Sequence, residues 1–164
     1  VEVLIPDLQG DKEALKKVVD AKPEIINHNI ETVPRIYDDV RPEAIYTRSL
    51  ELIKNVKLMD RNIFTKSGIM VGLGETTGEL NNLFEDLKKN GVDILTIGQY
   101  LQPTPENLPV KKYYTPEEFK LLKEMAELKG INGVSSGPFV RSSYNALDLY
   151  NKVTEYKKSI PGDQ

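Results

Sequence analysis

The chain has 164 residues, 39% of them hydrophobic, which suffices for one domain with a sizeable core, and no shift in composition argues for two. A net charge of -3 offers no field for polyanions, and the lysines fall across several expected helices instead of on one face, so nucleic-acid binding is not expected. No cysteine is present, which excludes disulfides and cysteine-held zinc or iron–sulfur sites within these residues, and no apolar run approaches the roughly 18 residues of a membrane span or forms a signal peptide.

Val1 to Pro6 predicts a short apolar strand, stopped by Pro6 and turned through Asp7 and Gly10. The chain opens without Met, directly on this run, and is expected to begin mid-fold. Asp11 can cap a helix whose Leu15, Val18 and Val19 share one face. Ile25 and Ile26 lead into a second strand, Asn27 to Thr32, with polar residues crowding its end. After a loop containing Pro34 and Pro42, a helix from about Ala44 to Asp60 carries Leu52, Val56 and Met59 at helical spacing.

Thr65 to Thr76 reads as a buried strand, a glycine-rich turn and a helix start. Thr76 and Glu79 are spaced as a capping box, and Leu80, Leu83, Phe84 and Leu87 predict the buried stripe of a helix that Gly91 ends. Ile94 to Tyr100 is a fourth strand. Thr115-Pro116-Glu117-Glu118 opens another capped helix with Leu121, Met125 and Leu128 as its expected buried face. Ile131 to Ser135 predicts a last short strand. Gly137-Pro138 then turns the chain towards a terminal amphipathic helix with Leu149, Val153 and Tyr156, and residues 160–164 are expected to fray.

Strands alternating with helices through short links imply an α/β fold with parallel strands and right-handed crossovers. The polar clusters fall after strands: Asp7, then Asn27 to Glu31, then Gly72 to Glu75, then Gln99 and Gln102. In a barrel these share the rim where active sites are built.

Each motif carries a plain reading beside the functional one. Gly68 to Glu75 is either a wall that admits a flat ligand or a tight turn that requires glycine. A dinucleotide fingerprint fits poorly: Gly72, Gly74 and Gly78 are spaced one residue too long, and Glu75 would face the pyrophosphate. Asn27, Asn29 and Glu31 suit a ribose or carboxylate, or satisfy loop backbone. His28, the sole histidine, fits a hydrogen-bonding role better than a metal site or triad. Arg141 to Tyr144 reads as a helix-entry turn, and Lys88-Lys89 and Lys111-Lys112 as solvated surface. No lysine is well placed for a Schiff-base aldolase, since Lys66 lies at the wrong end of its strand.

Taken together, five stretches resemble the lipoyl synthase family of radical S-adenosylmethionine enzymes. They are Val1 to Asp7, Asn27 to Pro34, Thr65 to Glu75, Gly98 to Pro103 and Gly137 to Tyr144. The resemblance implies an incomplete TIM-like (β/α)6 barrel, of which residues 1–164 would form a single domain holding strands three to six and the C-terminal segment. It implies insertion of two sulfur atoms at C6 and C8 of an octanoyl chain on a lysine of a carrier protein, either a lipoyl domain or a glycine cleavage H protein. One 4Fe-4S cluster would cleave S-adenosylmethionine to a radical that takes hydrogen from the substrate; a second, auxiliary 4Fe-4S cluster would supply sulfur. A ferredoxin or flavodoxin would supply electrons, in the cytoplasm.

By the same resemblance Ser143 matches a serine ligand of the auxiliary cluster, with Arg141 beside it as a catalytic candidate. Gly68, Met70, Gly72 and Glu75 match the G-x-I-x-G-x-x-E pattern that lines the adenine, with Met70 in the isoleucine place and Gly74 a further candidate within the stretch. Asn27, Asn29, Glu31, Gln99 and Gln102 complete the implied S-adenosylmethionine site. The family's cluster cysteines have no counterpart here, so this chain is expected to be an inert portion of the enzyme, with an exposed strand edge that favours self-association. The alternative is a non-catalytic α/β module that binds a nucleotide or S-adenosylmethionine without clusters.

Overall fold

The computed structural model describes residues 1–141, 143 and 145–159; the expected fray at 160–164 lies outside them. Five strands, β1 (Glu2–Leu4), β2 (Ile25–Asn27), β3 (Phe64–Val71), β4 (Ile94–Gln99) and β5 (Gly133–Ser136), lie side by side in chain order, and every neighbouring pair is parallel. Parallel strands that always step the same way need right-handed crossovers, which place their connecting helices on one face. Those helices are α1 (Lys12–Asp20), the short α2 (Tyr37–Val40), α3 (Tyr46–Met59), α4 (Thr77–Lys89) and α5 (Pro116–Leu128).

Local chemistry sets the helix starts. The Asp11 carboxylate accepts the Glu13 and Ala14 amides at 2.9 and 3.1 Å, and both expected capping boxes form, Thr76 with Glu79 and Thr115 with Glu118. Leu80, Leu83, Phe84 and Leu87 are buried as their spacing predicts. Elsewhere packing overrides pattern. On α5 the buried stripe is Phe119, Leu122 and Ala126, while Leu121 and Leu128 are 58% and 87% exposed. Met59 of α3 and Tyr156, near the end of the last helix, are exposed too, because Leu52, Ile53 and Val56, and Leu149 and Val153, already cover the sheet.

The second strand is shorter than expected. After Asn27 the chain leaves the ladder, and Glu31, at φ +74°, rejoins β3 through a single bridge to Ile69. His28 turns towards the helices. Its Nδ1 meets the Ile5 carbonyl at 3.0 Å and its Nε2 the Ser49 hydroxyl at 2.9 Å, while Tyr37 donates to that hydroxyl at 3.1 Å. This is a satisfied core histidine.

Register partners in parallel strands point to one face, so Glu2, Ile25, Asn27, Phe64, Lys66, Gly68, Ile94 and Thr96 all face away from α1 to α5. That inner face is layered. At the end where the strands begin, Ile25, Phe64 and Ile94 pack under Leu149 and Val153 of α6 (Ala146–Ser159). Above them Lys66, wholly buried, donates to both Glu2 carboxylate oxygens at 2.9 and 3.0 Å, and Asn27 Nδ2 donates to Glu2 at 3.2 Å. Nearer the strand ends the side chains shrink to glycine and a cavity opens.

The cations are less evenly spread than the sequence suggested. Lys54, Lys57, Arg61, Lys88, Lys89 and Lys157 line one groove where the strands begin. Among the described residues no helix is long and apolar enough to cross a membrane.

Candidate functional site

A cavity of about 240 Å3 opens on the inner face at the C-terminal ends of β3 and β4. Its walls come from four separate stretches: Asn29 and Glu31 after β2, Gly68 to Met70 in β3, Thr96 to Leu101 in and after β4, and Val140 with Arg141 after β5. Parallel strands deliver their loops to one end, which is why residues so far apart in sequence converge here.

Two glycines shape this space. A Cβ at Gly68 would lie 2.8 Å from Asn29 Oδ1 and 3.0 Å from Thr96 Oγ1, so the bare backbone lets both polar side chains close over β3. A Cβ at Gly98 would overlap the Val140 carbonyl oxygen. The segment before α6 therefore lies directly on β4 and roofs the cavity.

The polar groups are poised for a ligand. Asn29 Oδ1 is buried and has no hydrogen-bond partner within the protein, and Asn27 Oδ1, one step lower on the same face, is in the same condition. Buried acceptors left unpaired are costly, so Asn29, which lines the cavity, suits a donor such as a hydroxyl or ammonium group. Burial raises the Glu31 carboxyl above its ordinary range, against the opposing charge of Arg41 and a hydrogen bond from Asn29. Its left-handed backbone, about 1–3 kcal/mol of strain in a residue with a side chain, is held by the Glu31 N–H bond to Gly68 and the Met70 N–H bond back to Glu31, at 3.0 and 2.8 Å. Arg141 donates to the Val140 carbonyl at 2.9 Å while lining the mouth.

Of the residues singled out from sequence, Asn29, Glu31, Gly68, Met70, Gln99 and Arg141 meet at this cavity. The others lie apart. The Gln99 side chain itself is spent on the protein: it donates to the Tyr100 and Lys112 carbonyls and accepts from Tyr114 N–H, each at 3.0 Å. Gln102 braces its own loop by donating to the Pro105 and Asn107 carbonyls. Glu75 folds back to accept the Gly72 and Leu73 amides at 2.7 and 2.9 Å and the Tyr114 hydroxyl at 2.9 Å. Gly72 and Gly74 have φ of +110° and +103°, and a Cβ at Gly72 would stand 2.5 Å from the Lys112 carbonyl oxygen. These four are turn chemistry. Asn27 sits one layer below the cavity with Lys66. Ser143 is exposed, two residues beyond Arg141 and outside the cavity wall; Ser142 and Tyr144 of the same motif lie outside the described residues.

Thr96, Gly98, Leu101 and Val140 line the cavity without having been singled out. A signal existed for two of them. Thr96 and Gly98 alternate with the buried Leu95 and Ile97, and pair in register with Gly68 and Met70. Among the described residues no cluster of three histidine, cysteine or acidic side chains could hold a metal ion.

No family model matches the chain. It is 57% identical over 157 residues to the lipoyl synthase of Alkaliphilus metalliredigens (strain QYMF), covering 96% of this chain and 54% of that protein. It is 56% identical over 146 residues to the lipoyl synthase of Rubrobacter xylanophilus, covering 89% and 46%. Against the lipoyl synthase of Bacillus cereus (strain ATCC 14579) the identity is 56% over 155 residues, covering 94% and 52%. The chain spans about half the length of these curated relatives.

Proposed function

This chain belongs to the lipoyl synthase family over the segment it spans, and on that premise we propose that it supplies the S-adenosylmethionine-side wall of an enzyme that inserts two sulfur atoms into a protein-bound octanoyl-lysine. The observation that carries this reading is the convergence of Asn29, Glu31, Gly68, Met70 and Arg141 on one cavity. In this reading the sheet is the later part of an incomplete (β/α)6 barrel, with five strands in place of the four, strands three to six, that were expected, because Gly133–Ser136 of the C-terminal segment also pairs with β4. The work is done in the cytoplasm on an octanoylated lipoyl domain or H protein, with electrons from a ferredoxin or flavodoxin.

The residues fit the small-molecule cofactor. The orphaned Asn29 amide oxygen and the Glu31 carboxylate are acceptors suited to ribose hydroxyls and a methionyl ammonium, and Arg141 offers a guanidinium to a carboxylate. They do not by themselves fit a 4Fe-4S cluster, which needs thiolates that a cysteine-free sequence lacks. Ser143 could contribute one hard oxygen ligand to an auxiliary cluster whose other ligands come from elsewhere, and so this chain alone would be inert. When bound, the cofactors supply the radical and sulfur chemistry. The chain's own part is to orient the ligand against β3 and β4 and to exclude water beneath the Val140 roof.

The test joins calorimetry with a chimera. This chain should bind S-adenosylmethionine, and Gly68→Val, which fills the cavity, should abolish binding while keeping the circular dichroism. Placed in exchange for the matching half of the Alkaliphilus relative, the chain should restore the mass gain of two sulfurs on an octanoyl-lysyl peptide. No binding, or a chimera that binds clusters yet inserts no sulfur, would count against the reading.

A further inference from the structure

At the opposite end of the sheet from the cavity lies a second concavity of about 470 Å3. Its position follows from its walls: Phe64 begins β3, Gly91 and Asp93 immediately precede β4, and Asn132 immediately precedes β5. Its floor is apolar, made by Phe64 and Val153 with Leu58 and Tyr156 at the sides. Its rim is cationic: six lysine or arginine side chains stand against one lining carboxylate, Asp93, in a chain whose overall charge is -3.

Part of this has an ordinary cause. Helices α3, α4 and α6 all end here, and each carries lysine in its last turn, where unpaired carbonyls favour cations. About half an elementary charge at each helix end offsets some of the cluster and leaves a clear cationic excess. Lys57 pairs with Asp93, and Lys89 pairs with Glu85 at 2.8 Å. Among the described residues no carboxylate lies within ion-pair distance of Lys54, Arg61 or Lys88. Lys57 and Lys157 approach the same Phe64 ring from α3 and α6, each 5.7 Å from its centroid. Lys57 also donates to the Ile63 carbonyl and Lys157 to the Arg61 carbonyl, so the ring gathers two cationic ends of which, among the described residues, only Lys57 has a carboxylate partner.

We propose that this groove is a binding site for a small organic anion with an apolar body, its carboxylate or phosphate head held by Lys54, Arg61 and Lys88 and its body laid on Phe64 and Leu58. The site is distinct from the cavity beside Gly68, and occupancy there needs no iron or S-adenosylmethionine.

Calorimetry on this chain at low salt would use four probes: hexyl phosphate, hexanoate, inorganic phosphate and hexanol. Nuclear magnetic resonance would follow Phe64 and Tyr156 for the groove and Gly68 and Gly98 for the cavity. Hexyl phosphate or hexanoate should bind at least about tenfold tighter than inorganic phosphate, because each buried methylene strengthens binding. The tighter of the two names the head group. Shifts should appear at Phe64 and Tyr156 only. Lys54→Glu with Arg61→Glu should weaken binding roughly tenfold, each exposed charge contributing up to a few-fold, with circular dichroism unchanged. Leu58→Asn, at a largely exposed position, should weaken the hexyl compounds and leave inorganic phosphate alone. Equal affinity for inorganic and hexyl phosphate would mean an adventitious ion only and overturn the proposal. Equal binding of hexanol, or shifts confined to Gly68 and Gly98, would overturn it as well.

Discussion

The Tyr114 hydroxyl donates to Glu75 Oε1 at 2.9 Å, joining the glycine turn after β3 to the stretch of chain that leads into α5. The same oxygen accepts the Gly72 amide at 2.7 Å, so one carboxylate both closes the turn and ties it to the stretch before α5. Burial, with the Glu75 charge, pushes the Tyr114 phenol well above its ordinary range, which keeps it a donor at every physiological pH. Tyr114→Phe should lower stability by about 1 kcal/mol, the usual net value of one such bond, and thermal denaturation would show it. An unchanged melting temperature would mean that the bond is not formed in solution.

Gly98 and Gly78 should respond to alanine in opposite directions. At Gly98 the new methyl meets the Val140 carbonyl, so the roof must lift; stability falls and S-adenosylmethionine binding weakens more than tenfold. At Gly78, in the first turn of α4, a Cβ meets nothing within 4 Å, and alanine should stabilise by up to about 0.5–1 kcal/mol through helix propensity. Chemical denaturation of both variants, with calorimetry on the first, checks the pair. Equal effects at the two sites would contradict the roofed cavity.

Glu31→Gln should gain stability while losing function. A carboxyl whose pKa is raised by burial penalises the folded state above that pKa and is relieved as pH falls through it, so the neutral amide removes the penalty at neutral pH. The wild-type disadvantage should vanish in acid. Higher stability together with weaker ligand binding is the pattern of a strained functional residue. Stability and binding measured from pH 4 to 8 would separate this from a purely structural role, in which both would fall.

The start of α4 should weaken in acid. The Arg35 guanidinium bonded to Glu79, with the capping bonds from Thr76, lowers the Glu79 carboxyl from 4.5 to about 2. Stability from this depressed acid is complete above its unfolded value and is lost as pH falls from about 4.5 towards 2. Amide exchange at Thr77 to Leu80 should accelerate over that window and show no such step in Glu79→Gln.

Acid should also act through His28. Burial lowers its pKa, so the neutral ring is the stable form; stability is full above the unfolded value near 6.5 and declines as pH falls below it. Ser49→Ala leaves Nε2 without its partner and should cost about 1–3 kcal/mol. Denaturation at pH 5 and 8 tests both.

Much of this architecture could be read from residue order because its signals are local. Thr76 with Glu79, Thr115 with Pro116 and Glu118, and the stripe from Leu80 to Leu87 each act within a turn or two of helix. The face of α5 was legible only in part: Met125 packs against the core as expected, but Leu121 and Leu128 match helical spacing as well as Phe119, Leu122 and Ala126 do, and only the position of the sheet chooses between them. The same limit governs the cavity. Gly68 and Met70 announce themselves beside a glycine turn, yet Gly72 and Gly74, the more conspicuous residues, serve the turn itself. Val140 becomes a wall only because the chain returns over Gly98, a contact across 42 positions.

The consecutive strand order also bears on how the molecule assembles during synthesis. Each strand adds to the one made just before it, so the sheet can grow as the chain leaves the ribosome, without waiting for later residues. Helix α6 is the exception. It lands on Phe64 and Ile94, made long before it, whereas Val140 is held over β4 by the turn that follows β5, through the Gly137 N–H bond to the Ile97 carbonyl and the Val140 N–H bond to the Gly137 carbonyl. Sheet and roof can therefore form before α6 docks, and a nascent chain stopped short of Leu149 would carry the roofed cavity with Phe64 and Ile94 still bare at the other end.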